Sequence, residues 1–143
     1  MRIEDLLRGK GTAVATVTPG TTVTELLAGL AKHNVGAMVV TAADGGIAGI
    51  VSERDVVRRL NDHGSAILDG PVADIMTKLV ASCGPEDSVD QLSVLMTERR
   101  IRHVPVLVEG KLAGIVSIGD VVKSRMEQLE KSQEQLEAYI AQG

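Results

Sequence analysis

The sequence GIVSERDVV, residues 49–57, occurs again as GIVSIGDVV at residues 114–122, with seven of the nine positions identical. The two copies lie 65 residues apart, and upstream of them Pro19 aligns with Pro85 at an offset of 66. The one-residue difference falls in a Gly-containing turn, where length changes are tolerated. The chain is therefore an internal duplication, and its fold is expected to consist of two similar units.

Both copies of the duplication show the same predicted order of elements. An extended piece, 13–17 or 79–83, leads through a Pro-containing turn to a helix with apolar residues at helical spacing. Two strands and a second helix follow. The predicted strands are 36–41 and 47–51 in the first unit and 102–108 and 112–117 in the second. About sixty residues are marginal for independent stability, so we expect the two units to pack face to face.

The C-terminal region predicts one long helix, 119–142, because no Gly or Pro occurs between Asp120 and Gln142. Apolar residues and one glutamine recur along it at alternating steps of four and three, the spacing of a coiled-coil seam. These residues are Val122, Met126, Leu129, Gln133, Leu136 and Ile140. We expect this stripe to pack against a second copy or against the body of the protein.

Composition excludes several classes of function. Hydrophobic residues make up 44% of the 143 residues, but Tyr139 is the only aromatic one, and the formal net charge is −4. An acidic chain without aromatic platforms is poorly suited to nucleic acid binding. Cys83 is the only cysteine, and the sequence shows neither a signal peptide nor an apolar run that could cross a bilayer. We therefore expect a cytoplasmic protein that binds no membrane and no nucleic acid.

The repeated Ser-x-x-Asp has two interpretations. As capping boxes, Ser52 with Asp55 and Ser117 with Asp120 would satisfy free backbone N–H groups at two helix starts. As ligand sites, a helix N-terminus with a serine hydroxyl attracts a phosphate, and an aspartate one turn later can bind a ribose diol. Phosphate and diol together describe a nucleotide. The spacing alone leaves both interpretations open.

The duplicated unit resembles a pair of cystathionine β-synthase (CBS) domains, a Bateman module. The resemblance rests on Gly-Ile-Val-Ser-x-x-Asp after each strand pair and on the strand RHVPVL, 102–107. It gives 8–66 as the first CBS unit, 72–125 as the second and 119–142 as a continuing helix, as in small stand-alone bacterial CBS-pair proteins. It implies an α/β (α+β) fold of two strand-helix-strand-strand-helix units with pseudo-twofold symmetry. Two clefts for AMP, ADP, ATP, S-adenosylmethionine or NAD are also implied.

The resemblance also implies which residues line each cleft. In the second unit's site, Asp120 would bind the ribose and Ser117 would lie near the phosphate. The other residues implied there are Thr16, Val35, Gly36, Ala37, Arg102 and His103. The first unit's site would use Ser52, Arg54 and Asp55 with Ser82, Ile101 and His103. Because Arg102 and His103 should face phosphates and the small Gly36 and Ala37 should admit the base, we expect the Asp120 cleft to be the better site.

No catalytic or metal site is expected. His33, His63 and His103 are scattered, without an i,i+4 pair or a cysteine at ligand spacing. Gly9-Lys10-Gly11-Thr12 lacks the upstream glycine and the preceding strand of a phosphate loop. No nucleophile, base and orienting acid can be assembled from the sequence.

We therefore expect a non-enzymatic sensor of AMP, ADP or ATP, with NAD or S-adenosylmethionine as further candidate ligands. No catalytic cofactor is expected, although Mg²⁺ could accompany ATP. The expected partners are a second copy of the chain and an unidentified regulated protein. The alternative is a structural or interaction protein with empty clefts, in which the Ser-x-x-Asp motifs are only caps. A third interpretation, a nucleotide hydrolase, would show turnover of ATP or NAD.

Overall fold

The structure is a computed structural model that describes residues 1–78 and 81–142. Five α-helices and five β-strands are described there. In chain order they are α1 Ile3–Lys10, β1 Thr16–Val17, α2 Val23–His33, β2 Ala37–Thr41, β3 Ile47–Ser52, α3 Glu53–His63, α4 Val89–Arg99, β4 His103–Val108, β5 Lys111–Ser117 and α5 Ile118–Gln142. Two 3₁₀ turns, Gly64–Asp69 and Val72–Asp74, connect α3 to the second unit. The predicted mixed α/β architecture with a long C-terminal helix is confirmed.

The strands form one sheet in each unit. In the first unit β1 pairs parallel to β2, and β2 pairs antiparallel to β3; in the second, β4 pairs antiparallel to β5. The antiparallel register shifts after Val40 in one sheet and after Val106 in the other, which are equivalent positions of the repeat. The predicted extended piece 79–83 begins with Leu79 and Val80, which lie outside the described residues. Its last residue, Cys83, forms a parallel bridge with Val106.

Four helices begin at a Ser or Thr residue whose side chain caps the first turn. The side chains of Thr22, Ser52, Ser88 and Ser117 each accept a hydrogen bond from the backbone N–H three residues later, at 3.0–3.2 Å. Each cap satisfies a backbone donor that would otherwise lack a partner at the helix start. Both predicted Ser-x-x-Asp capping interactions are therefore confirmed.

The core of the first unit also includes residues from the connection to the second. Its buried members are Val23, Leu26, Leu30, Met38, Val40, Val51, Val56, Val72 and Ile75. Val72 and Ile75 follow α3 and return to pack under the first sheet. Thr77 then forms two backbone hydrogen bonds with Ile50, at 2.9 and 3.0 Å, so this connection runs along the edge of β3.

The core of the second unit contains a helix from the other end of the chain. Its buried members are Ile3, Leu6, Leu7, Val89, Leu92, Met96, Val104, Val106, Val116 and Val121. The first three belong to α1, a helix that the sequence analysis did not assign, although their i, i+3, i+4 spacing is the usual signal for one. The N-terminal helix therefore completes the second unit, so packed units and continuous stretches of sequence do not coincide.

The C-terminal helix α5 begins inside the second unit and continues beyond it. Val121 and Ser124 are buried, whereas the residues from Arg125 to Gln142 are exposed. The predicted apolar stripe is exposed along its whole length, with Leu129 at 69% and Ile140 at 67% of full exposure. Val122 and Met126 border a shallow groove on this helix. Within the single chain, the stripe is not covered by the described residues.

Candidate functional site

The first Ser-x-x-Asp junction lies where β3 opens into α3. Asp55 Oδ2 accepts hydrogen bonds from the backbone N–H and the hydroxyl of Ser52, at 2.8 and 3.0 Å. Both residues are partly buried, and both line a cavity of about 640 Å³. The helix N-terminus and its serine are thus presented to an open space large enough for a small organic ligand.

This cavity is built from both units. From the first unit it is lined by Gly36, Ala37, Ile50, Ser52, Glu53, Arg54, Asp55, Val57 and Arg58. The remaining lining residues are Thr77, Ala81, Arg100, Ile101, Arg102 and His103. A ligand held there would contact both CBS-like repeats at once, so its binding would depend on how the repeats are arranged.

Most of the predicted site residues lie together in this one cavity. It contains five of the residues predicted for the first site, namely Ser52, Arg54, Asp55, Ile101 and His103. It also contains Gly36, Ala37 and Arg102, which were predicted to serve the Asp120 cleft. Thr16, Val35, Ser82, Ser117 and Asp120 are not among its lining residues.

Strand register explains why the small residues Gly36 and Ala37 lie in the Asp55 cavity. Ala37 is paired with Ser52 across the β2–β3 ladder, and the backbone N–H of Glu53 donates to the carbonyl of Gly36 at 3.0 Å. The start of β2 is therefore adjacent to the start of α3 in its own unit. This places the two residues beside Asp55, whereas the sequence analysis grouped them with Asp120.

The cavity carries an excess of positive charge. Four of its lining residues are arginines, Arg54, Arg58, Arg100 and Arg102, and two are acidic, Glu53 and Asp55. All four arginines are exposed, and none takes part in an ion pair with another residue in the ranges 1–78 and 81–142. In a chain of net charge −4, this local excess favours an anionic ligand.

Arg58 and Arg100 are cavity residues that were not among the predicted site residues. Arg58 lies four residues after Arg54, so both can project from one face of α3. Arg100 follows α4 in the left-handed conformation, with φ of 53°, which ends the helix at the cavity. The spacing of Arg54 and Arg58 on one helix face could have been recognised in the sequence. The position of Arg100 could not, because it depends on how the two units meet.

The second Ser-x-x-Asp junction has a different environment. Asp120 Oδ2 accepts from the backbone N–H of Ser117 at 2.8 Å and from Lys10 Nζ at 2.5 Å. Lys10 Nζ also donates to the carbonyl oxygen of Ile115 at 2.7 Å. Burial alone would raise the pKa of Asp120, but the hydrogen bonds from Lys10 and Ser117 hold the pKa below its usual range. This carboxylate already has a cationic partner.

His103 lies between the two junctions. Its backbone is paired with Ser117 across β4 and β5, while its side chain lines the Asp55 cavity. Burial lowers the pKa of His103, and the positive charge of Lys10 lowers it further, against an opposing effect of Asp120. The imidazole is therefore biased towards its neutral form.

Neither a metal centre nor a membrane-spanning helix is found in the part of the chain that the structure describes. Across residues 1–78 and 81–142, His, Cys, Asp and Glu side chains form no group of three that could hold a metal ion. None of the described helices is long and apolar enough to span a bilayer.

Comparison with known proteins matches both repeats to a single family model. The model for the CBS domain matches residues 10–62 and again residues 72–127. Among curated relatives, a mitochondrial CBS domain-containing protein, CBSX3 of Arabidopsis thaliana, is 36% identical over 99% of this chain and 72% of its own length. Both copies of the duplicated motif lie within the matched residues.

Solved structures resemble the fold over most of the chain. The CBS-domain containing protein ATU1752 from Agrobacterium tumefaciens is 47% identical, with a TM-score of 0.84 over 87% of this chain and 99% of that one. The CBS domain pair of protein MJ0100 was solved in complex with 5-methylthioadenosine and S-adenosyl-L-methionine. It is 21% identical, with a TM-score of 0.75 over 90% of this chain and 98% of that one, so it shows similarity of fold alone.

Proposed function

The chain belongs to the CBS-domain family, with two CBS domains in tandem, and from this premise we propose that it is a non-enzymatic sensor of an adenine nucleotide. The ligand we propose is AMP, ADP or ATP, bound in the Asp55 cleft between the two domains. NAD and S-adenosylmethionine are the other candidates. The observation that carries the proposal is the cavity of about 640 Å³ that the two domains line together.

The chemistry of the cavity supports a nucleotide in a definite orientation. We propose that the ribose hydroxyls bind Asp55, whose carboxylate lies at the start of α3 beside Ser52. We propose that the base lies against the small residues Gly36 and Ala37, which suits a chain without aromatic stacking partners at this site. The phosphates would then face arginines of both units.

The four arginines of the cavity favour a ligand that carries phosphate groups over one that does not. Arg54 and Arg58 come from the first unit, and Arg100 and Arg102 come from the junction between α4 and β4. Guanidinium groups form strong paired hydrogen bonds with phosphate oxygens. S-adenosylmethionine carries a positively charged sulfonium group, which this excess of cations would repel. If ATP is the ligand, Mg²⁺ can accompany its phosphates.

We propose that the readout is a change in the arrangement of the two domains. Because Arg54 and Arg102 belong to different domains and line the same cavity, bound phosphate would favour the arrangement that holds them together. The exposed stripe on α5 would transmit this change to a second copy of the chain in a homodimer and to a regulated protein. The proposed cellular location is the cytoplasm, although the Arabidopsis relative is named as mitochondrial.

The rival function is an interaction protein that binds no nucleotide. The observation in its favour is the α5 stripe, which is exposed from Val122 to Ile140 and has the spacing of a helix-packing seam. On this account, Ser52 and Asp55 only cap α3, and the cavity is a consequence of packing two domains.

A thermal-shift panel separates these accounts. AMP, ADP, ATP, NAD and S-adenosylmethionine are each added to wild type and to Asp55→Ala. The sensor account expects at least one phosphate-bearing nucleotide to raise the melting temperature of wild type in a saturable manner, and expects Asp55→Ala to abolish that shift.

A matched control corrects for the lost cap. Ser88→Ala removes the N-cap hydrogen bond of α4, at 3.0 Å, away from the cavity lining. Like Asp55→Ala, it should cost about 1 kcal/mol of stability, but it should leave the nucleotide shift intact. If no ligand shifts wild type, or if Asp55→Ala keeps the shift, the sensor account is wrong at this site.

A further inference from the structure

The two Ser-x-x-Asp junctions differ in what binds their carboxylates. Lys10 Nζ, from the N-terminal helix, lies 2.5 Å from Asp120 Oδ2 and 2.7 Å from the carbonyl oxygen of Ile115. At the other junction, the side-chain hydrogen bonds of Asp55 within the described chain come from Ser52 of the same unit. An aspartate therefore occupies the same position in both repeats, but Asp120 is bound by the ammonium group of Lys10.

Lys10 is held in place by a packed helix. It is the last residue of α1, whose Ile3, Leu6 and Leu7 are at most 6% exposed in the second-unit core. The backbone N–H groups of Ile3 and Glu4 also donate to carbonyls in the loop before α4, each at 2.9 Å. The packing of α1 therefore positions the ammonium group of Lys10 at Asp120.

We propose that Lys10 closes the Asp120 cleft to the ribose of a nucleotide, so that each chain binds one nucleotide and binds it in the Asp55 cleft. This inference rests on the proposed function. A ribose diol would have to displace the ammonium group from a carboxylate whose side chain is 23% exposed. Hydroxyl groups are neutral donors and form weaker hydrogen bonds to a carboxylate than an ammonium group does. The displaced Lys10, 30% exposed, would also lose its contact with Ile115.

Lys10 is thus a specificity-determining residue that makes two duplicated clefts unequal. The sequence alone favours the Asp120 cleft as the better site, because no local pattern places a lysine from residues 1–10 beside that acid. If the side chain instead served to bind phosphate, its removal would weaken nucleotide binding. These two roles predict opposite results for the same substitution.

Calorimetric titration with ADP counts the sites. We expect one ADP per chain for wild type and two for Lys10→Met, which keeps the aliphatic stem and removes the charge. The added site should be lost again in Lys10→Met with Asp120→Ala, whereas Asp55→Ala in the wild-type background should bind none. Lys131→Met, an exposed lysine of α5, is the matched control and should bind one.

Each outcome distinguishes this inference from the function on which it rests. Two sites in wild type, one of them lost in Asp120→Ala, or a single site in Lys10→Met would overturn the closure of the Asp120 cleft and leave the proposed function standing. Loss of ADP binding in Lys10→Met would assign the lysine to phosphate instead. If neither wild type nor any variant binds ADP, and titrations with AMP and ATP also show no binding, the proposed function fails and the inference fails with it. Should methionine unfold α1, Lys10→Gln repeats the test.

Discussion

Leu7 packs directly over Gly114: a Cβ atom at that glycine would lie 3.0 Å from Leu7 Cδ2. The equivalent glycine of the first unit, Gly49, is covered by the connection between the units. A Cβ there would lie 2.6 Å from the carbonyl oxygen of Thr77 and 2.9 Å from Met76 Sδ. Gly49 and Gly114 therefore have the same structural role. Each lets a segment from outside its own sheet lie close against the strand.

The two glycines should differ in their tolerance of alanine. Gly49→Ala meets the backbone carbonyl of Thr77, which is held by a hydrogen bond that it accepts from the N–H of Ile50. We therefore expect this substitution to cost about 1–3 kcal/mol of unfolding free energy, as overpacking does. Gly114→Ala meets only the end of a leucine side chain, which can change rotamer, and should cost less. Urea denaturation of both variants measures the difference. An equal or larger loss for Gly114→Ala would contradict the described packing.

The ion pair of Lys10 with Asp120 should make stability depend on acid pH. The pKa of Asp120 is lowered in the folded chain from an ordinary value of 3.8. Its contribution is therefore fully present above that value and is lost as the pH falls through the lower folded value. The difference in unfolding free energy between wild type and Lys10→Met should shrink between about pH 5 and pH 2. A difference that does not change with pH would exclude the ion pair.

His103 should also make folding stability depend on pH, in a higher pH range than Asp120 does. Its pKa is lowered from 6.5 in the folded chain, because burial and the charge of Lys10 disfavour the imidazolium. The unfolded chain therefore binds more protons between the folded value and 6.5, and stability falls as the pH is lowered through that window. His103→Gln should remove this part of the pH dependence, as followed by denaturation at several pH values. His33→Gln, at the exposed end of α2, is the control.

Cys83 should be unreactive in the folded protein. Burial, with a further effect of the nearby Asp87, raises the pKa of its thiol to about 12, and Sγ lies 3.6 Å from the carbonyl oxygen of Pro105. Thiolate is the reactive form, so alkylation at neutral pH should be slow until the chain is unfolded in denaturant. Rapid alkylation under native conditions would show that this strand edge opens readily.

The α5 stripe should mediate self-association. Leu129 and Leu136 are 69% and 59% exposed in the single chain. Replacing both with glutamate should therefore lower the apparent mass in sedimentation equilibrium while changing monomer stability little. Lys131→Glu, about half a helical turn away from the stripe, controls for the added negative charge. An unchanged mass would remove α5 from the dimer interface.

Local sequence signals were sufficient for most elements of the fold. The four longer strands, the two Ser-x-x-Asp caps and the continuous tail helix follow from local residue patterns, and the structure has them within one residue of the expected bounds. The extended piece predicted at 13–17 is shorter in the structure, where β1 is limited to Thr16–Val17. Duplication strengthened each prediction, because a pattern present twice at a fixed offset is hard to produce by chance.

The arrangement of the site could not be predicted in the same way. The ion pair of Lys10 with Asp120 depends on a contact between residues 110 positions apart in the sequence. The presence of Arg100 in the same cavity as Arg54 depends on how the two domains face each other. The two repeats also differ in what packs against them, although their sequences align. Leu7 of α1 covers Gly114 in the second unit, whereas Met76 and Thr77 cover Gly49 in the first. A single sequence shows no periodic pattern from which such long-range contacts could be predicted.

The most direct test of the central claim is a crystal structure of the full chain grown with saturating ADP. The account predicts electron density in the Asp55 cavity, with the ribose hydroxyls on the Asp55 carboxylate and the phosphates beside Arg54 and Arg102. The Lys10–Asp120 ion pair should remain intact in the same crystals. An empty Asp55 cavity at saturating ADP, or nucleotide bound instead at Asp120 with Lys10 displaced, would contradict the account.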